Sequence, residues 1–357
     1  MENNKNIRES WIDNIKVVAC VLVLLGHFFQ SMVKSGIIEK NDIYLWFNTT
    51  IYYFHVPLFF ICSGYIYQRY SVVDSAGTWI NNIVKKLVNL GIPYFTFSII
   101  TYLIKVVLSS SVNSKNTGLI DSLFVHPASP YWFLYTLFFI FVLIPTFKND
   151  RMMYFFAGTS LILRVVVDLA GDNFFPYLCD KIMTFTIWFV VGMILSRVNV
   201  VSMFSEDASK DRVLKKYGKI IAGFVMILFL AISVLVYVLD FNNGLIPFIC
   251  GIIACAGVII FFAGDTYKNY FGIFSKYTMP VFLMHTIFAA GIRIVLNKMG
   301  MNSLLIQSIV GIPFSIIGPV ISAMIMEKLF YPEIFINPGK FIRININGAK
   351  NESVNGK

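Results

Sequence analysis

The sequence predicts an all-α, polytopic integral membrane protein: a bundle of about ten transmembrane helices with N- and C-termini in the cytoplasm. Composition is the first reason. Of 357 residues, 57% are hydrophobic and 13% charged, where a soluble domain carries about 25% charge. Periodicity is the second: no apolar segment shows the ten-residue alternation of a transmembrane barrel, which leaves helices to satisfy the backbone in lipid. Charge placement is the third. With the N-terminus in the cytoplasm, 21 of the 29 Lys and Arg fall in cytoplasmic segments, seven on the opposite side, and Arg164 within the membrane.

Ten apolar segments carry this reading: 14–34, 45–68, 88–109, 131–147, 152–170, 181–197, 217–239, 244–263, 271–296 and 303–326. The first is too long for a removable signal peptide, follows a polar stretch and has no small-x-small cleavage pattern, so it is expected to remain. The second contains Pro57, which removes a helical N–H and predicts a break. Lys85 and Lys86 precede the third, which opens at Ile92-Pro-Tyr94. The fourth opens at Pro130-Tyr-Trp-Phe-Leu-Tyr135; it and the sixth lie near the lower length limit for a span. The link around Lys148-Asn-Asp-Arg151 is short and predicts a tight helical hairpin of segments four and five. A basic loop, 197–219, leads to the seventh, and Ser275 to His285 enters the ninth. The chain thus divides into a cytoplasmic N-terminus (1–13), a transmembrane domain (14–326) and a cytoplasmic C-terminal tail (327–357).

The net charge of +10 is mostly a topology signal, because the basic residues are spread over many short loops; nucleic acid is not expected as a partner. The five cysteines have no metal or redox spacing, and no H-E-x-x-H, Walker or G-x-G-x-x-G pattern lies on a suitable element. No metal site is expected.

The most informative stretch runs from Ile12 to His27. Lys16 and His27 are eleven residues apart, which at about 100° per residue puts them within about 20° of one helix face, roughly 16 Å apart along the axis. Asp13 falls near that face. A histidine at bilayer depth is costly and points to a functional site. His55, beside Pro57, is a second: it either lines a polar site or bonds a carbonyl freed by the break. Ser63-Gly64 reads as a close helix-packing contact. Lys85 and Lys86 are either positive-inside anchors or point charges for donor phosphates. At the opening of the fourth helix, which runs on to Tyr135, aromatics commonly anchor the interface, the reading kept for Tyr131, whereas Trp132 can stack on a sugar ring. Arg164 and Asp168, spaced i,i+4, are placed to pair in the interior. His285 reads as structural, with Arg293 two turns further on.

Together, Asp13-x-x-Lys16, the lysine-ten-histidine spacing to Gly26-His27, and Phe54-His-Val-Pro-Leu-Phe-Phe-x-x-Ser-Gly-Tyr65 resemble the membrane-bound acyltransferase 3 family, in its fucose 4-O-acetylase-like, polysaccharide O-acetyltransferase branch. Trp132-Phe-Leu-Tyr135 and the Ser275 to His285 segment fit the same pattern. Where many members carry arginines before the Pro-Tyr of the third helix, this chain has Leu87 and Leu90, with Lys85 and Lys86 upstream.

The resemblance implies transfer of an acyl group, usually acetyl from acetyl-CoA as donor substrate, to a sugar hydroxyl of a surface or exported glycan or lipid-linked oligosaccharide. No tightly bound cofactor is implied. It makes His27 the essential histidine and Lys16 the basic residue of the first-helix motif. Acyl transfer to a hydroxyl wants a general base, and neutral imidazole suits it. His27 is the expected base, with His55 or Asp13 as orienting partner and an acyl-histidine intermediate left open. Lys16, Asp13, Lys85, Lys86, Trp132, Tyr135 and Arg164 are the expected donor- or substrate-binding set. The alternative is a polytopic glycan transporter or flippase, in which Arg164 and Asp168 line a path.

Overall fold

The computed structural model describes residues 9–108, 118–171, 173–198, 212–241, 244–265, 267–329 and 331–342. Among these the chain is helical, with no strand. Its α-helices are α1 (Ser10–Lys34), α2 (Asp42–Tyr52), α3 (His55–Tyr70), α4 (Ala76–Lys86), α5 (Ile92–Val107), α6 (Trp132–Leu143), α7 (Asp150–Ala170), α8 (Tyr177–Arg197), α9 (Arg212–Val238), α10 (Ile246–Ala263), α11 (Thr278–Lys298) and α12 (Leu304–Leu329).

Each of the ten predicted segments contains helix among the described residues; residue 109, the predicted end of the third, lies outside them. Eight elements among the described residues are long and apolar enough to cross a membrane. One of them, Ala76–Val107, runs from α4 through a π-turn at Leu87–Gly91 into α5. It begins well before the predicted residue 88, because Ser75 and Thr78 form a reciprocal capping box that starts the helix at Ala76. The predicted segment 45–68 is two helices, α2 and α3, parted at Tyr53-Phe54. Pro57 therefore lies in the first turn of α3, where its missing N–H costs nothing. The fourth segment is shorter than predicted. α6 ends at Leu143, and Ile144 turns extended ahead of Pro145.

The expected hairpin of the fourth and fifth segments does not form; α7 packs on α8, while α6 packs on α8 and α4. The link between them is held elsewhere. The Gln68 side chain of α3 donates to the Phe147 carbonyl (2.8 Å) and accepts from the Phe147 N–H (3.0 Å), so one amide satisfies an entire backbone unit. Arg197 donates to the same carbonyl. Gln68→Leu is expected to lower the stability of the purified protein by about 1–3 kcal/mol, read as a fall in melting temperature in detergent.

α1 is the axle of the bundle. It touches α2, α3, α10, α11 and α12, and Trp11, Ile15, Ala19, Leu24, Phe28 and Met32 along it are buried. α3 and α8 form the closest pair. A Cβ at Gly64 would collide with the Phe189 carbonyl of α8, and one at Gly192 with the Ile61 carbonyl of α3. Two glycines thus let these backbones touch, as Ser63-Gly64 predicts. On the outside, Phe155, Ile162 and Leu169 of α7 and Ile220, Phe224 and Ile227 of α9 are exposed. Apolar surface of that extent suits lipid and would be costly in water.

Candidate active site

α1 carries the site. Lys16 lies in its second turn, 3.7 Å from Asp13, and neither residue reaches His27. The eleven-residue separation puts His27 roughly 16 Å deeper along the axis. There His27 Nε2 meets the Ser129 hydroxyl at 3.3 Å. With Nε2 unprotonated, Ser129 donates to its lone pair.

Ser129 belongs to the turn ahead of α6, and that turn is firmly held. Tyr131, fully buried, donates its hydroxyl to the Leu283 carbonyl of α11 (2.9 Å) and shares a hydrogen bond with Thr101 of α5 (2.9 Å). Three helices therefore position the group that faces His27.

Two further histidines converge on the same depth. His285, buried on α11, directs Nδ1–H to the carbonyls of Val281 (3.0 Å) and Phe282 (2.9 Å). Its Nε2 consequently carries the lone pair, and it has no hydrogen-bond partner among the described residues. The His285 ring centroid is 5.4 Å from that of His27. His55, the first residue of α3, gives Nδ1–H to the Ile51 carbonyl at the α2–α3 break, which also accepts the Phe54 N–H, and packs edge-on against Tyr52 at 4.6 Å. Despite this gathering, no group of His, Cys, Asp and Glu among the described residues is arranged to hold a metal ion.

His27 and Ser129 stand between two cavities and line both. The larger, about 440 Å³, lies among α1, α5 and α11, and its wall includes Gln30, Lys34, Lys105 and Arg293. The smaller, about 30 Å³, is walled by His55, Tyr52, Phe59, Trp132, Phe133 and Phe282. An imidazole that faces both spaces, with a lone pair already engaged by a hydroxyl, is placed to take a proton from one guest while another is held beside it.

The other expected site residues lie elsewhere. Lys85 is exposed at the end of α4, and Lys86 sits over the Phe141 ring at 3.9 Å. Tyr135 stacks on Tyr94 (5.4 Å) and donates to the Phe124 carbonyl (3.3 Å). Arg164 pairs with Asp168 at 2.8 Å, as their spacing predicts, and lines neither cavity. Trp132 does reach the smaller cavity, with its ring 5.3 Å from that of Phe185. Sequence reasoning missed Ser129, Lys105 and Gln30, which carry no local pattern. His285, read from the sequence as structural, bonds backbone carbonyls through Nδ1 and also lies beside His27.

Fold and site define a multi-pass membrane protein with a half-buried, cavity-lining histidine on its central helix. The chain belongs to the acyltransferase family whose domain model matches residues 9–327, nearly its whole length. It is similar to the nodulation protein NolL of Mesorhizobium japonicum, 26% identical over 142 residues. That match spans 39% of this chain and 36% of the relative. No solved structure matches.

Proposed function

We propose that this protein is an O-acetyltransferase of the cell membrane, moving an acetyl group from acetyl-CoA to a sugar hydroxyl of a surface or exported glycan, with His27 as general base. The observation that carries the reading is the position of the His27–Ser129 pair between a roomy cavity bordered by Lys34, Lys105 and Arg293 and a small aromatic one. The smaller space has room for a short acyl group and none for a long chain, which supports acetyl. The larger suits a sugar.

In the step itself, the sugar oxygen attacks the thioester carbonyl carbon as His27 Nε2 takes the hydroxyl proton. The C–S bond breaks, the ester forms, and His27 returns the proton to the departing thiolate, giving free CoA thiol. Ser129 Oγ–H occupies that same Nε2 lone pair, so the sugar proton reaches His27 through it, Ser129 passing its own proton to Nε2 as it takes the sugar's; His55 and His285 flank the ring with their own tautomers set by backbone carbonyls. Ser129→Ala is expected to lower kcat about tenfold with the KM for acetyl-CoA unchanged, since it removes one hydrogen bond to the base and no contact with the donor.

Lys16 is assigned to the donor phosphates at the cytoplasmic end of α1, with Asp13 holding its side chain. Lys16→Ala is expected to raise the KM for acetyl-CoA; normal donor affinity in the purified variant would remove that role. The decisive cellular test is the O-acetyl content of surface glycans by NMR, in wild type, a deletion, and the deletion complemented with His27→Ala. Loss in the deletion without restoration by His27→Ala supports the reading. Unchanged acetylation with less glycan at the surface would point to transport instead.

A further inference from the structure

The larger cavity is strongly cationic. Lys34, the last residue of α1, Lys105, in the last turn of α5, and Arg293 of α11 all line it, and no carboxylate does. None of the three forms an ion pair with an acidic side chain among the described residues. Helix C-termini favour cations, which accounts in part for Lys34 and Lys105. It does not account for Arg293. That guanidinium is 4% exposed, and its hydrogen bonds, to the Ser31 carbonyl (2.8 Å) and hydroxyl (2.5 Å), both use Nη1. A buried guanidinium facing a cavity without a counter-ion is costly unless a guest supplies one.

The placement is equally telling. Lys34 is eighteen residues beyond Lys16 on α1, roughly 27 Å along the axis, so this cavity lies toward the opposite membrane face. Under the proposed orientation that face carries only seven basic residues, and three of them meet here. A CoA thioester is supplied from the cytoplasm, so its phosphates belong at the other end of α1.

We infer that the acceptor is an anionic glycan, whose carboxylate or phosphate group is held by Lys34, Lys105 and Arg293 while a nearby hydroxyl reaches His27. The inference rests on the acetyltransferase reading above. It makes the cavity a selector for acidic glycans over neutral ones and for a hydroxyl close to the charge.

The test uses purified full-length protein in vesicles, acetyl-CoA carrying a labelled acetyl group, and the source cell's surface glycan in two forms. One is native; the other has its carboxylates methyl-esterified and its phosphate substituents removed. Neutralising the glycan is expected to raise its KM about tenfold or more with kcat nearly kept, the loss of a charge-assisted hydrogen bond. Lys105→Gln and Lys34→Gln, both away from the bundle core, are expected to raise the KM for native glycan similarly and to change nothing for the neutralised form.

Equal use of both forms, or unchanged KM in both variants, would overturn the inference and leave the acetyltransferase reading standing. So would a rise in the KM for acetyl-CoA instead, which would put donor phosphates in the cavity. Vesicles with and without phosphatidylglycerol separate the remaining source: a lipid effect lost in Lys105→Gln would make the guest a lipid headgroup and overturn the acceptor assignment. No transfer to either glycan by wild type would sink the proposed function itself.

Discussion

His27→Ala is expected to lower acetyl transfer by about 10²–10⁴-fold while the protein accumulates normally and binds acetyl-CoA as before. The reason is positional. His27 borders two cavities, its hydrogen-bonding contacts are with the side chains of Ser129 and Gln30, and the packing of α1 is carried by Trp11, Ile15, Leu24, Phe28 and Met32 instead. Truncation enlarges a space that already exists, and the partners it releases, Ser129 and Gln30, both border that space. His27→Gln keeps the volume and a hydrogen bond but removes the proton acceptor, so it should be as inactive as the alanine variant. The measurement is label transferred from acetyl-CoA to glycan per mole of purified protein, with melting temperature as the control for folding. A glutamine variant retaining more than about a tenth of wild-type turnover would exclude His27 as general base, because positioning alone would then carry the rate.

The second large effect is on the fold. Gly64→Leu is expected to prevent accumulation of folded protein, and Gly64→Ala to destabilise it by more than about 4 kcal/mol. The clash is with backbone: a Cβ on Gly64 meets the Phe189 carbonyl, and the reciprocal contact of Gly192 with the Ile61 carbonyl closes the other side. Neither helix has a flexible side chain there to yield. Moving α8 away would carry α7 with it, and moving α3 would drag His55 from its place beside the smaller cavity. Size-exclusion profiles and melting curves of both variants in detergent check this. A monodisperse Gly64→Leu protein melting like wild type would show that the two backbones separate freely.

Much of the architecture was legible from the chain alone. The helical segments follow from apolar runs of membrane length, because lipid leaves the backbone no other partner than itself; the parting of the second at Tyr53-Phe54 is set by the packing. The Ser63-Gly64 contact was readable for a related reason: without water to drive association, helices in lipid approach through their smallest residues. The Arg164–Asp168 pair needed only its i,i+4 spacing. The hairpin at Lys148 was misread, since a short link does not force adjacent packing when Gln68 and Arg197 hold the intervening strand of chain elsewhere.

For the site, the division is sharper. Local spacing along one helix was enough to put Lys16 and His27 on the same face, as candidates, and to separate the two by a fixed rise per residue. The partners of His27 were beyond its reach. Ser129 is 102 residues away in sequence, and Arg293 meets Ser31 across 262. Helical periodicity correlates residues within a few turns, whereas a cavity is the space left where α1, α5 and α11 fail to touch, and its lining is set by how whole helices cross. The charge of that cavity, and with it the kind of guest it suits, therefore emerged only once the helices were packed.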